Sequence, residues 1–213
     1  MRFASHRDVT RAFERGVRRA GLPIAHSAGF TPHPKISYAG GVQTGVASEA
    51  EYLSLTLTSR RGAEDVRGRL NAALPDGIDV IAVTEDAGGV PASRLTASAW
   101  RVVLPGLTRQ DVAPAIAKFL ALDHAPVERL THKGLRRMDA RTAVITLGVS
   151  DEADTGDSAA VALEMVMRHT TPAVRPDDVL TALRDVSDLA PTAQPFITRL
   201  AQGAFGESGM VQP

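Results

Sequence analysis

The feature that most restricts the fold is the recurrence of one order of elements on either side of "DAGGVPAS", residues 86–93. Gly, Pro and Ser clustered between two periodic stretches read as a connection rather than as core. Upstream, "SHRDVTRAFERGVRRA" places Val9, Ala12, Phe13, Val17 and Ala20 on one face at helical spacing. Ser5 is positioned as its N-cap with Asp8 three residues on, and Gly21 stops it. A short strand over 22–26 and an extended piece over 35–39 follow. "EYLSLTLTS" then alternates Leu53, Leu55 and Leu57 with polar neighbours, as a half-buried strand does. Residues 62–74 form a helix with Val66, Leu70 and Leu74 inside, and "GIDVIAVTE" is of the buried-strand type.

Downstream the order returns. "ASAWRVVLP" is a strand, and 108–122 is a helix with Thr108 as cap and Asp111 in the acidic first turn. Residues 126–130 are extended. "RTAVITLGV" and "AVALEMVMR" are strands joined by the acidic "SDEADTGDSA". Pro176 opens a helix to Val186, and "QPFITRLAQ" closes as a strand. Each half therefore reads strand–helix–strand–strand–helix–strand, the split βαβ order. The expected class is α+β, with two ferredoxin-like halves side by side over residues 1–85 and 95–202. Residues 86–94 are then a linker and 203–213 a frayed tail. The repeat lies in the order of elements, not in residue identities.

Composition removes whole classes of function. The chain has no cysteine, so disulfides, thiol nucleophiles, zinc–thiolate sites and cysteine-ligated iron–sulfur clusters are excluded. No P-loop or dinucleotide-binding glycine pattern is present, and Gly40, Gly41 and Gly45 read as turns. No apolar run approaches the roughly 20 residues of a membrane span, and Met1 opens no signal sequence. A cytoplasmic protein with no membrane association and no cofactor is expected.

The net charge is zero, but it is unevenly spread. Residues 1–40 hold seven Lys and Arg against two acids, and 129–141 hold five against one. The rest of the chain is acidic. Because steering follows the local field, a neutral total hides a local anion-binding face. Three segments compose it. In the first, Arg7, Arg11, Arg15 and Arg18 form a stripe behind a capped helix start, where free N–H groups and the dipole favour an anion. His6 adds a donor there.

The second segment is "HSAGFTPHPKIS", residues 26–37. Pro32 and Pro34 bracket His33 and restrict the residues before them. Phe30 after Gly29 suits an anchor or a stacking platform, while Ser27, Thr31, Lys35 and Ser37 suit phosphate contacts. His26 and His33 are seven apart with no cysteine or acid beside them, which argues against zinc. Acid–base use of a histidine stays open, without a matching nucleophile. The loop reads as a rigid recognition element, with a structural turn as the competing reading. The third segment, "THKGLRRMDAR", gathers Lys133, Arg136, Arg137 and Arg141 around a turn at Gly134, with Asp139 orienting an arginine. Glu49 and Glu51 point to one face of an extended piece, to pair with arginines or hold a metal weakly.

Three stretches carry a resemblance: "SHRD", "GFTPHP" and "SEAEYL", supported by "KG…DAR" and "VRPDDVLTAL". On these the chain resembles the radical-SAM-associated domain of unknown function, a bacterial family found alone or at the C-terminus of radical SAM proteins. The similarity runs to about Leu200, and the Ala, Arg and Val content suits a stand-alone actinobacterial member. Members usually begin with a basic strand running into the position of Arg2 and Phe3. That strand is mostly absent here, so the first strand is expected to be shortened or missing. The resemblance implies no catalytic residues. It implies a link to radical SAM chemistry, which a chain without cysteine leaves to a partner in trans.

The leading expectation is a non-catalytic module that binds RNA or another anionic substrate and acts with a partner enzyme. The competing expectations are a metal-independent RNA-processing enzyme using His6, His26 or His33, and an adaptor docking on a radical SAM protein.

Overall fold

Burial and capping place the first helix. α1 (His6–Arg19) buries Ala12, Phe13, Gly16 and Val17, and its start is closed by a capping box between Ser5 and Asp8. The computed structural model describes residues 5–41, 43–85, 94–131, 134–151, 160–206 and 211–212. These form two units, Met1–Ala47 with Glu51–Ala92, and Ser48–Ala50 with Ser93–Pro213. Both mix helix and strand, so the class is α+β. No helix among the described residues is long and apolar enough to cross a membrane.

In the first unit, β1 (Ile36–Ala39) is followed by the start of β2 (Ala47–Ser48) and by β3 (Tyr52–Leu55), then α2 (Ala63–Ala73). β1 and β3 pair antiparallel, Ile36 opposite Leu55 and Ala39 opposite Tyr52. Val17, Ala20 and Leu22 pack with Val66 and Leu70 of α2, and Ile24, Leu55, Leu57, Leu74 and Val80 close around them. Gly16 permits the close approach of α2: a Cβ there would lie 2.8 Å from Leu74 Cδ2. A mid-helix glycine costs about 1 kcal/mol relative to alanine, which the packing offsets.

Two expected strands are reduced or missing here. Residues 22–26 make only isolated bridges, Ile24 to Leu57 and His26 to Pro34. Residues 77–85 form no strand. Within this stretch the Val80 N–H donates to the Asn71 side chain at 2.7 Å, and the Val80 carbonyl accepts from it at 3.1 Å. With both backbone groups satisfied, no neighbouring strand is needed. Ile81 is 70% exposed.

The second unit begins at β4 (Ala97–Pro105), followed by α3 (Arg109–Leu120), β5 (Pro126–Thr131), β6 (Gly134–Asp139), the single turn α4 (Ala140–Ala143), β7 (Val144–Val149), β8 (Ala160–Arg168), α5 (Pro176–Ser187), β9 (Phe196–Phe205) and β10 (Val211–Gln212). The main sheet runs β10-β9-β4-β8-β7, every neighbour antiparallel. Val102 and Leu104 of β4 share a face with their register partners Leu163 and Val161, and all four are buried. Phe119 of α3 and Val179 and Leu183 of α5 are buried as well, and the two helices pack on each other.

Three features depart from the sequence-based expectation. β5 and β6 form a separate hairpin, which adds a strand to the expected order. Residues 140–143 are helical because the Asp139 carboxylate accepts from the N–H groups of Arg141 and Thr142. The expected strand therefore starts only at Val144, and Asp139 is a cap rather than an arginine holder. The tail is not simply frayed: β9 extends to Phe205, and Val211 returns opposite it. The expected first strand falls on residues 1–4 and most of the linker on 86–93, outside the described residues.

Two polar arrangements tie this unit together. Asp178 caps α5 by accepting from the Arg175 N–H at 2.7 Å and pairs with Arg129 of β5. Their side chains are only 6% and 20% exposed. Removing one partner of such a pair leaves a buried charge uncompensated, at about 3–5 kcal/mol. Elsewhere, His169 Nδ1 lies 2.6 Å from the Leu95 carbonyl and Nε2 lies 2.7 Å from the Ser98 hydroxyl. A carbonyl only accepts, so Nδ1 carries the proton and Nε2 accepts from Ser98, which is fully buried. Burial holds this imidazole below its ordinary 6.5; the Leu95 carbonyl pulls the other way, and the Arg199 guanidinium adds to the lowering.

Asp178→Ala is expected to lower the stability of the second unit by about 3–5 kcal/mol, read as a fall in the urea midpoint with little change in the slope. For His169, the folded state binds fewer protons than the unfolded state below the ordinary imidazole value. Its stabilising contribution is full above pH 6.5 and is lost as the pH falls from there through the folded-state value. Urea melts at a series of pH values are expected to show this loss, and His169→Asn to remove that portion of the dependence.

Candidate anion-binding site

α1 sets the geometry of the candidate site. With about 100° per residue, Arg7, Arg11, Arg15 and Arg18 fall within about 80° of the helix circumference. That stripe lies opposite the buried Ala12, Phe13, Gly16 and Val17. All four arginines are exposed. No guanidinium of the four donates a hydrogen bond or forms an ion pair with another described residue.

Elsewhere, carboxylates and arginines pair. Glu85 pairs with Arg60, Glu64 with Arg67, Asp65 with Arg69, Glu164 with Arg101, Asp151 with Arg109, Asp178 with Arg129 and Glu128 with Arg137. Arg19, Arg141 and Arg184 donate to backbone carbonyls. The α1 stripe is thus a ridge of exposed guanidinium groups that form no ion pair among the described residues, although Arg7 and Arg11 feel the Asp8 carboxylate.

The helix start contributes less to anion binding than its sequence suggests. Ser5 Oγ accepts from the Asp8 N–H at 3.2 Å, and the Asp8 carboxylate accepts from the Ser5 N–H at 3.0 Å. The Ser5 hydroxyl and then its N–H hold the Asp8 carboxyl below its ordinary value, and Arg11 and Arg7 add to this. The first turn already carries the chain's own negative charge.

His6 sits edge-to-face on Tyr38, ring centroids 5.2 Å apart. Its Nδ1 is 3.4 Å from Thr10 Oγ1. Gly41 makes room for it, since a Cβ there would lie 2.9 Å from His6 Cδ2 and 3.9 Å from Glu51 Oε2. The "SHRD" and "SEAEY" stretches therefore meet across the Gly41 turn. Burial pushes the Tyr38 phenol up, and Thr10 beside it works the other way.

The His–Pro loop belongs to the same unit. Its base is tied by Ser27 N–H to the His33 carbonyl at 2.9 Å, His33 N–H to Ser27 Oγ at 3.0 Å, and Lys35 N–H to the Ala25 carbonyl at 2.8 Å. Ser27 Oγ thereby serves the loop as a structural acceptor, with its own O–H still to donate. The side chains of His26, Phe30, His33 and Lys35 are exposed.

In the second unit the expected basic segment is thinner. Arg136 and Arg137 are exposed on β6, where Arg137 is held 2.6 Å from Glu128 and Arg136 has no partner among the described residues. Arg141 is half-buried and donates to the Leu120 and Val144 carbonyls. Lys133 lies outside the described residues. Leu130 and Leu135, directly opposite in the hairpin, are 78% and 58% exposed.

Sequence reasoning missed the buried polar residues Ser98, Arg199 and Gln202, and His169, whose ring meets Ser98. Arg199 lies 5.6 Å from the Trp100 ring, and Gln202 donates to the Ala50 carbonyl at 2.6 Å. A signal was present: Ser98 shares the alternation phase of the apolar Trp100, Val102 and Leu104.

Comparison with curated proteins finds no match. A family described as "Uncharacterized protein conserved in bacteria (DUF2344)" matches residues 1–176, a span that takes in the α1 ridge, the His–Pro loop and the β5–β6 hairpin. The chain belongs to that bacterial family.

Proposed function

We propose that the chain is a non-catalytic RNA-binding module that acts with a partner enzyme. The observation that carries this reading is the α1 ridge of four exposed arginines, none hydrogen-bonded to or ion-paired with a carboxylate among the described residues. The guanidinium fork matches phosphate oxygens and keeps its charge at any physiological pH. Arg7 to Arg18 span about 17 Å along the helix, a length suited to consecutive phosphates rather than to one small anion. Lys35 extends the unneutralised charge of the same unit. The absence of cysteine assigns any cluster chemistry to the partner, and the family resemblance points to a radical SAM protein in that role.

The test is a binding titration with labelled single-stranded RNA over a range of salt concentrations. Each phosphate neutralised contributes about 0.7 to the log–log salt slope for single strands. Replacing Arg7, Arg11, Arg15 and Arg18 together by alanine is expected to reduce that slope by up to about 3. Arg141→Ala is expected to leave it unchanged. Absence of binding at low salt, or a slope indifferent to the four substitutions, overturns the reading.

A further inference from the structure

Phe30 stands fully in solvent, at 110% of its reference exposure. Leaving a phenylalanine unburied forgoes the gain of taking its ring out of water, and Phe13 and Phe119 of the same chain are buried. A slack loop would fold the ring back onto the protein. This loop is held at its base on two sides. Its strands are bridged at His26 and Pro34, and the Ala25 N–H reaches the Thr56 carbonyl at 2.7 Å. The Thr56 N–H reaches the Lys35 carbonyl at 3.1 Å. Gly29, at φ +125, adopts a backbone that other residues rarely take, immediately before Phe30. The tip residues Ala28, Gly29, Thr31 and Pro32 are all exposed and small or restricted.

We propose that Phe30 is a stacking platform for an unpaired base, so that the RNA held by this unit is single-stranded where it meets the loop. This inference rests on the RNA-binding reading of the α1 ridge. A protein pocket would call for an apolar patch around the anchor, and no other large apolar side chain occupies the tip. A base needs only an open ring face, which a projecting Phe30 offers. The exposed Lys35 and His33, one at each closing bond of the loop, supply donors for the adjoining phosphates. A duplex has its base faces already stacked and presents none to a ring.

The experiment compares a single-stranded RNA carrying 2-aminopurine with the same strand in a duplex. The proteins are the wild-type chain, Phe30→Leu, Phe30→Trp and the four-arginine variant. Phe30→Leu keeps bulk and apolarity but removes the π face, and a fully exposed position leaves the melting temperature unchanged. The expected result is a preference for the single strand, with a change in 2-aminopurine emission on binding. Phe30→Leu is expected to weaken single-strand binding roughly 5- to 100-fold without altering the salt slope or the duplex affinity. Phe30→Trp is expected to retain binding, with its own emission quenched above the background of Trp100, the one native tryptophan. If Phe30→Leu binds like the wild type while the arginine variant still flattens the salt slope, the stacking role falls and the RNA-binding reading stands. Equal affinity of the wild-type chain for single strand and duplex likewise overturns the stacking role alone. If no form of the protein binds RNA, both fall together.

Discussion

β4 is hydrogen-bonded on both sides, to β8 along its whole length and to β9 along most of it. The second unit hangs on that double pairing. A strand buried in this way must place every N–H and C=O in a ladder, because an unpaired group removed from water costs about as much as a lost hydrogen bond. Its apolar phase then decides which face the helices cover. Val102 and Leu104 are buried with Leu163 and Val161 across the ladder, and Leu183 of α5 lines one cavity with Leu104. A bulge between Ala99 and Trp100 shifts the register toward β9 and brings Trp100 opposite Arg199.

The same requirement explains where strand patterns failed to become strands. Residues 77–85 have the composition of a buried strand, yet the Asn71 amide takes both backbone groups of Val80. Residues 140–143 sit inside an apolar run, yet the Asp139 carboxylate takes the N–H groups of Arg141 and Thr142 and turns the chain. Ser27 plays the smaller part of closing the His–Pro loop. In each case a short polar side chain competes with the ladder for the backbone. Sequence periodicity weighs apolar spacing and does not see that competition when the polar group lies nine residues away.

Charge follows a similar logic. The formal total is zero because acids and bases are equal in number, but pairing is not uniform. Most described arginines beyond α1 meet a carboxylate or a carbonyl, and the α1 stripe meets neither among the described residues. Surface pairs of this kind add little to stability. Their consequence is electrostatic: each pair cancels the field around it, whereas the α1 stripe, like Arg136, has no such pair among the described residues. That residual field, in the same unit as a loop holding an aromatic ring in water, is what the proposed function rests on.

Much of this was legible locally. The Ser5 and Thr108 caps, the extents of β4 and β8, the arginine stripe and the proline-stiffened loop all follow from neighbours in the chain, since a helix face or a strand phase is set within a few residues. The meeting of His6 with Gly41 and Glu51 was not legible, nor the burial of Ser98 under His169, nor the committed state of Arg137 and Arg141. Those depend on groups brought together from distant positions, as Arg129 and Asp178 are across 49 residues. Residues close along the chain were enough to settle which helix carries the basic face and which loop carries the exposed ring. Which of the charges remain unpaired was settled only on folding, because a carboxylate cancels an arginine through spatial proximity, whatever their separation along the chain.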